Sequence, residues 1–130
     1  MINDYLNNAF FWQKIDTLVL SSDFVLTQDV DSEHSRYPNL VYPVQYGYLK
    51  NDESSDFKIS VYRGTKVNKK VDAIAICVDI LKKDFGIKLL LGCNEKEEEE
   101  ILEFLNQTDF QKSVLIRRGN DIPSWSLTEY

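Results

Sequence analysis

The chain is poor in the residues that metal cages and disulfide frameworks need. Histidine occurs once, at His34, so no histidine cage and no histidine pair can form within one chain. Cysteine occurs twice, at Cys77 and Cys93, with no CxxC and no histidine beside either. A structural zinc site usually needs four such ligands, so buried free thiols in a reducing compartment are expected. No apolar run approaches the roughly 18–20 residues that span a bilayer. The opening MINDYLNNAFFWQKID has no basic patch followed by an apolar stretch, which argues against a signal peptide and for a cytoplasmic protein with no membrane partner. The net charge of −6 and pI near 4.7 deny the chain the basic face that nucleic acid requires. Motifs GxSxG, GxGxxG and HExxH and the lysine-bearing phosphate loop are all missing.

What remains is enough for one domain over residues 1–130: the hydrophobic share of 43% can build a core without staples. NAFFWQKIDTLVL (8–20) carries Phe11, Ile15, Leu18 and Val19 at helical spacing, with Asn8 placed to cap it. SDFVLTQD (22–29) reads as a strand, and DVDSEHSRYPNL (29–40) as a polar loop. FKISVYRG (57–64) is a further strand. VDAIAICVDIL (71–81) and FGIKLLLG (85–92) are β-branched and apolar, a hairpin inside a sheet. NEKEEEEILEFLNQ (94–107) opens with Asn94 and has Glu97 three residues on, the spacing of a capping box. Its EEEE run is a solvated helix start or, alternatively, a cation-binding tract. SVLIRR (113–118) gives the last strand. Many short strands with a helix near each end predict a mainly β (α+β) fold, a small closed barrel with the two helices alongside.

Three groups of residues could carry chemistry. Asp79 sits in the apolar run AIAICVDILK, where a carboxylate costs several kcal/mol unless it is paired or holds a cation. A two-residue Lys82–Lys83 turn would set Asp84 diagonally from it, roughly 7–8 Å away. Such a pair can share hydrated magnesium with substrate phosphates; the plainer alternative is an Asp79–lysine pair beside a turn aspartate. Tyr42, Tyr46 and Tyr48 fall at even positions of YPNLVYPVQYGYLKND, so on a strand they share a face. They make either a stiff aromatic corner or a wall of hydroxyl donors for phosphate. His34 and Arg36 form a solvated pair or an anion contact in the preceding loop.

YPVQYGYL resembles the YPxxYGY signature of the soluble, magnesium-dependent inorganic pyrophosphatases. FWQKID, HSRYPNLVYPVQYGYL, VDAIAICVDILKKD and IKLLLGC are similar to a compact bacterial branch of that family, over most of residues 10–118. The resemblance implies an OB-like closed barrel with acidic residues at one open end. It further implies Mg2+ as cofactor, pyrophosphate or another small phosphate-containing ligand as substrate, and hydrolysis to phosphate. Asp79 and Asp84 match a pair of metal-site aspartates and Tyr46 the tyrosine facing the site, with Asp79 and Tyr46 as catalytic residues. Arg36, Tyr46 and His34 would contact phosphate, and Asp56 would be a displaced third metal ligand. The chain departs from the family pattern elsewhere. Aligned on VYRG, the last aspartate of the family's first cluster falls on Ser60 and an earlier one on Ser55. TQDVDS (27–32) stands where the family has a basic segment, and Gln45 replaces Asn or Asp. These departures imply weak or impaired hydrolysis, or alternatively an inactive member that binds a ligand or partner. A homo-oligomer is compatible with either, and Trp125 in the tail offers a contact to a second subunit or to its own domain.

Overall fold

A strand covered on both faces has little use for polar side chains, and VDAIAICVD is built from small and β-branched ones. In the computed structural model, which describes residues 9–37, 39–50 and 58–118, this run is the inner strand β4 (Val71–Asp79). The other elements are α1 (Ala9–Leu20), β1 (Asp23–Gln28), β2 (Gln45–Lys50), β3 (Ile59–Arg63), β5 (Asp84–Leu91), α2 (Glu95–Leu105) and β6 (Gln111–Arg117). One six-stranded sheet runs in the order β1-β2-β3-β5-β4-β6. Its neighbours are antiparallel except β3 and β5, which run parallel.

The protein is mainly β with two helices, but the expected closed barrel is not formed. Closure needs the outermost strands to share a ladder, and among the described residues β1 and β6 do not pair. The sheet instead buries its two faces under separate cover, which removes the need to curl onto itself. On one face Trp12 and Val19 of α1 pack with Leu49, Val61, Val71, Ile74, Leu89 and Leu91. On the other, Ile101, Phe104 and Leu105 of α2 meet Tyr42, Tyr62, Ala73, Ala75, Cys77 and Leu90. Cys77 and Cys93 are both buried free thiols. Gly47 has a steric reason: a Cβ there would run into the Val25 carbonyl of β1.

The buried stripe of α1 differs from the one its apolar spacing predicts. Phe11 and Leu18 are exposed, while Trp12, Asp16 and Val19 face inward. The cause is an ion pair. Arg118 Nη2 donates to Asp16 Oδ1 at 2.8 Å and to the Trp12 carbonyl at 3.0 Å, with both charged side chains only 1% exposed. The guanidinium also lies over the Trp12 ring, 5.2 Å from its centroid. This contact ties the first helix to the end of the last strand and sets the helix's rotation.

The capping box of α2 is present, with Glu97 N–H donating to Asn94 Oδ1 at 2.8 Å and Asn94 N–H to Glu97 Oε1 at 3.0 Å. The acidic run is only half solvated. Glu97 also accepts from Thr65 N–H, and Glu98 accepts from Arg117 Nε at 2.8 Å. Burial raises the Glu98 pKa above the ordinary carboxylate value, and Arg117 opposes that rise.

Removing one member of the buried pair strands the other. Asp16→Ala is therefore expected to lower the unfolding free energy in urea by about 3–5 kcal/mol, while the double variant Asp16→Leu/Arg118→Met loses clearly less. An equal loss in both would show that the charge pair is not the feature that holds α1.

Candidate functional site

Side chains alternate across a sheet, so register decides which residues meet. Tyr46 pairs with Tyr62, Ser60 with Lys88, Lys88 with Ala75, and Cys77 with Gly86. All of these project toward the α2 face. At its far end the residues become polar, because the cover supplied by α2 gives way to the loop that precedes β2. There a cavity of about 120 Å³ is lined by His34, Tyr42, Tyr46, Tyr62, Asp79, Lys82 and Lys88, with Phe104, Phe110 and Gln111 among the remaining walls. A shallower hollow of about 70 Å³ continues from it past Asp79, Lys82, Asp84, Lys88 and Gln111. Drug-sized ligands occupy pockets of roughly 300–1,000 Å³, so this site suits a small ion rather than a nucleotide.

Asp79 is 6% exposed and sits directly opposite Asp84. The diagonal arrangement expected from a two-residue turn is corrected by the loop length. Four residues, 80–83, connect the strands, with Lys83 at φ 54°. Asp79 builds that loop itself, its Oδ1 accepting from the N–H groups of Leu81 and Lys82, both at 2.9 Å. One carboxylate oxygen is thus committed to the turn and the other is left for the hollow. Two carboxylates opposed across a ladder repel unless a cation lies near. Lys82 and Lys88 line the same hollow.

Of the three tyrosines expected to share a face, Tyr42 and Tyr46 meet at the site, and Tyr42 reaches it from a loop instead of a strand. Its ring stacks on Tyr46 at 5.5 Å and on His34 at 5.9 Å, the latter nearly parallel at 8°. Tyr46 in turn lies 4.8 Å from Tyr62. Tyr48 stands apart beneath Lys58. Burial first, then proximity to Tyr46, raises the pKa values of Tyr42 and Tyr62, so both phenols stay protonated at neutral pH. The Tyr46 hydroxyl lies 3.2 Å from Ser60 Oγ and 3.5 Å from Lys88 Nζ. Ser60 does not line the cavity itself but touches it through the Tyr46 hydroxyl.

His34 belongs to the site, and Arg36 does not line it. His34 Nδ1 accepts from the N–H groups of Arg36 and Tyr37, at 3.1 and 3.3 Å. That assigns the neutral tautomer with the proton on Nε2, a donor available to an anion. Arg36 is exposed and takes part through its backbone. Asp56 lies outside the described residues. Lys82, Lys88 and Tyr62 are the lining residues that sequence reasoning missed. Lys88 had a readable signal, a single charge inside the apolar run FGIKLLLG.

Among the described residues, no group of three or more His, Cys, Asp or Glu side chains comes together as a metal cage. The donor set fits one hydrated magnesium, which takes one or two carboxylates and completes its shell with water and phosphate. It does not fit a pair of metals, which would need several more anionic oxygens. No family model, no curated protein and no solved structure matches the chain.

Burial, then Lys82 and Arg36, hold the His34 pKa below its ordinary 6.5. A lowered pKa contributes stability that is present above the ordinary value and is lost as pH falls through the folded one. An NMR titration of the single histidine is expected to give a midpoint below 6.5. Lys82→Ala should move the midpoint upward; a midpoint at or above the ordinary value would contradict the assigned contacts.

Proposed function

We propose that the cavity binds pyrophosphate, or another compact phosphate-containing anion, together with magnesium, and that the protein hydrolyses it slowly. The observation that carries this reading is the convergence of Lys82, Lys88, Tyr46, Tyr42 and the His34 Nε2 proton on a cavity whose rim holds the Asp79–Asp84 pair. The two lysines and the hydroxyl donors balance negative charge on phosphate oxygens, and Arg36 adds a longer-range positive charge from the loop. The free oxygen of Asp79 and the carboxylate of Asp84 would hold the ion. Magnesium, when bound, screens the charge of the anion and acts as a Lewis acid toward its phosphoryl oxygens. In the overall reaction a water oxygen bonds to one phosphorus, the bridging P–O bond breaks, and two phosphates leave. The OB-like closed barrel of the pyrophosphatases is no part of the support, which rests on the polar end of an open sheet.

A second reading is favoured by Ser60. Its hydroxyl engages Tyr46 and adds no anionic oxygen for a second metal, which supports a protein that binds the anion without turning it over.

Phosphate release from pyrophosphate, measured with magnesium, with manganese and with chelator, separates the two. Slow, metal-dependent release is expected. It should disappear in Asp79→Asn, whose amide oxygen can still accept the turn's N–H groups so that the loop survives. Ser60→Asp should increase the rate. Pyrophosphate binding by calorimetry without turnover would establish the second reading, with Lys88→Met weakening binding at least about tenfold. Neither turnover nor binding would overturn both readings.

A further inference from the structure

One wall of the cavity is closed by a turn whose acceptor can titrate. Side-chain acceptors that take the N–H groups two and three residues on are commonly Asn or Asp oxygens. Here the acceptor is Nδ1 of His34, which takes the N–H groups of Arg36 and Tyr37 at 3.1 and 3.3 Å. The flanking segments are joined by backbone bonds that do not involve the ring. His34 N–H donates to the Leu40 carbonyl at 2.8 Å, Leu40 N–H to the Tyr37 carbonyl at 2.9 Å, and Tyr42 N–H to the Ser32 carbonyl at 2.9 Å. The turn thus fixes two side chains of the lining at once, since His34 and Tyr37 both border the cavity. Between centroids, Tyr37 lies 5.4 Å from the His34 ring and 5.5 Å from Phe110.

We propose that His34 is a proton-operated latch: its neutral ring closes the turn that walls the cavity, and its protonation releases Arg36 and Tyr37 and loosens that wall. A neutral imidazole has one acceptor nitrogen, and both N–H groups of the turn use it. Imidazolium has none, and its Nδ1 proton would point at two donors. The closed turn and the charged ring are therefore incompatible. The surroundings favour the closed form at neutral pH. Arg36 from the same loop and Lys82 from the loop between β4 and β5 are both cationic, and with burial they hold the His34 pKa below 6.5. Tyr42 stacks on the ring and Tyr37 tilts against it, phenols that bring no negative charge to neutral pH. Asp79, Lys88 and Tyr46 share the cavity, and Glu33, next along the chain, is exposed. Two carboxylates thus stand against three cations around the ring, which opposes a further positive charge in the closed state. Mild acid brings that charge and opens the turn. The latch forms a wall of the site read above as an anion site, but it rests on the loop's own hydrogen bonds and holds whatever the cavity binds.

NMR of the isotope-labelled full chain without ligand tests the proposal from about pH 8 to about pH 5, the span in which histidine titrates. The amide proton signals of Arg36 and Tyr37 are expected to move upfield and to lose their heteronuclear NOE as pH falls. Both changes should share the midpoint of the imidazole ring itself, below 6.5. His34→Asn supplies an amide oxygen that accepts the same two N–H groups and does not titrate, so its signals should keep the closed positions throughout. His34→Phe keeps a ring beside Tyr42 without an acceptor, so its signals should sit at the open positions even at the upper end of the range. Amide signals that stay in place while the imidazole titrates would overturn the proposal. So would a shift in His34→Asn at the wild-type midpoint. Because no ligand is present, either result is separate from a failure to bind or hydrolyse pyrophosphate.

Discussion

The register between β4 and β5 is the constraint on which most of this molecule depends. Because side chains alternate, the pairing of Cys77 with Gly86 and of Asp79 with Asp84 commits every residue of the hairpin to one face or the other. A slip of β5 by one position would send Asp84 and Lys88 to the apolar side and bring Phe85 and Ile87 to the polar one. Asp79 guards against that slip. Its carboxylate holds the N–H groups of Leu81 and Lys82, so the loop length and the register are determined by the residue that also borders the site.

Given that register, the two faces divide their tasks by residue size. The α2 face of β4 carries Ala73, Ala75 and Cys77, small enough for the aromatic rings of Tyr62, Tyr42 and Phe104 to pack close above them. Those rings taper into the cavity, where the Tyr46 hydroxyl lies near Ser60 and Lys88 and the imidazole of His34 stacks on Tyr42 at the edge. The α1 face is built from larger aliphatic side chains and Trp12, and its cover stops short of Val78, Phe85, Ile87 and Val114, which stay exposed.

The site itself is balanced in charge. Two lysines and two aspartates line the hollow, so a highly charged anion gains little unless it brings a cation with it. Beside that hollow the Tyr46 hydroxyl is held between Ser60 Oγ at 3.2 Å and Lys88 Nζ at 3.5 Å.

Much of the fold is local and was legible in the order of residues. The strand runs, the Asn94–Glu97 cap and the helix over 9–20 follow from periodicity and backbone hydrogen bonding over a few positions, interactions that need no distant partner. The meeting of Tyr42 with Tyr46 and the unusual setting of Asp79 were legible for the same reason: YPVQYGYL and a lone carboxylate in an apolar run are patterns within a few neighbours. What tertiary structure alone decided was set by contacts between distant residues. Asp16 reads as a solvent residue until Arg118, far along the chain, draws it inward and turns the helix by one position. Lys88 is a single charge inside the apolar run FGIKLLLG, and only the parallel pairing of β3 with β5 lays it beside Ser60 and Tyr46. Whether the sheet closes was likewise beyond a local reading, since closure depends on β1 and β6 meeting, and each strand is as well formed in an open sheet as in a barrel.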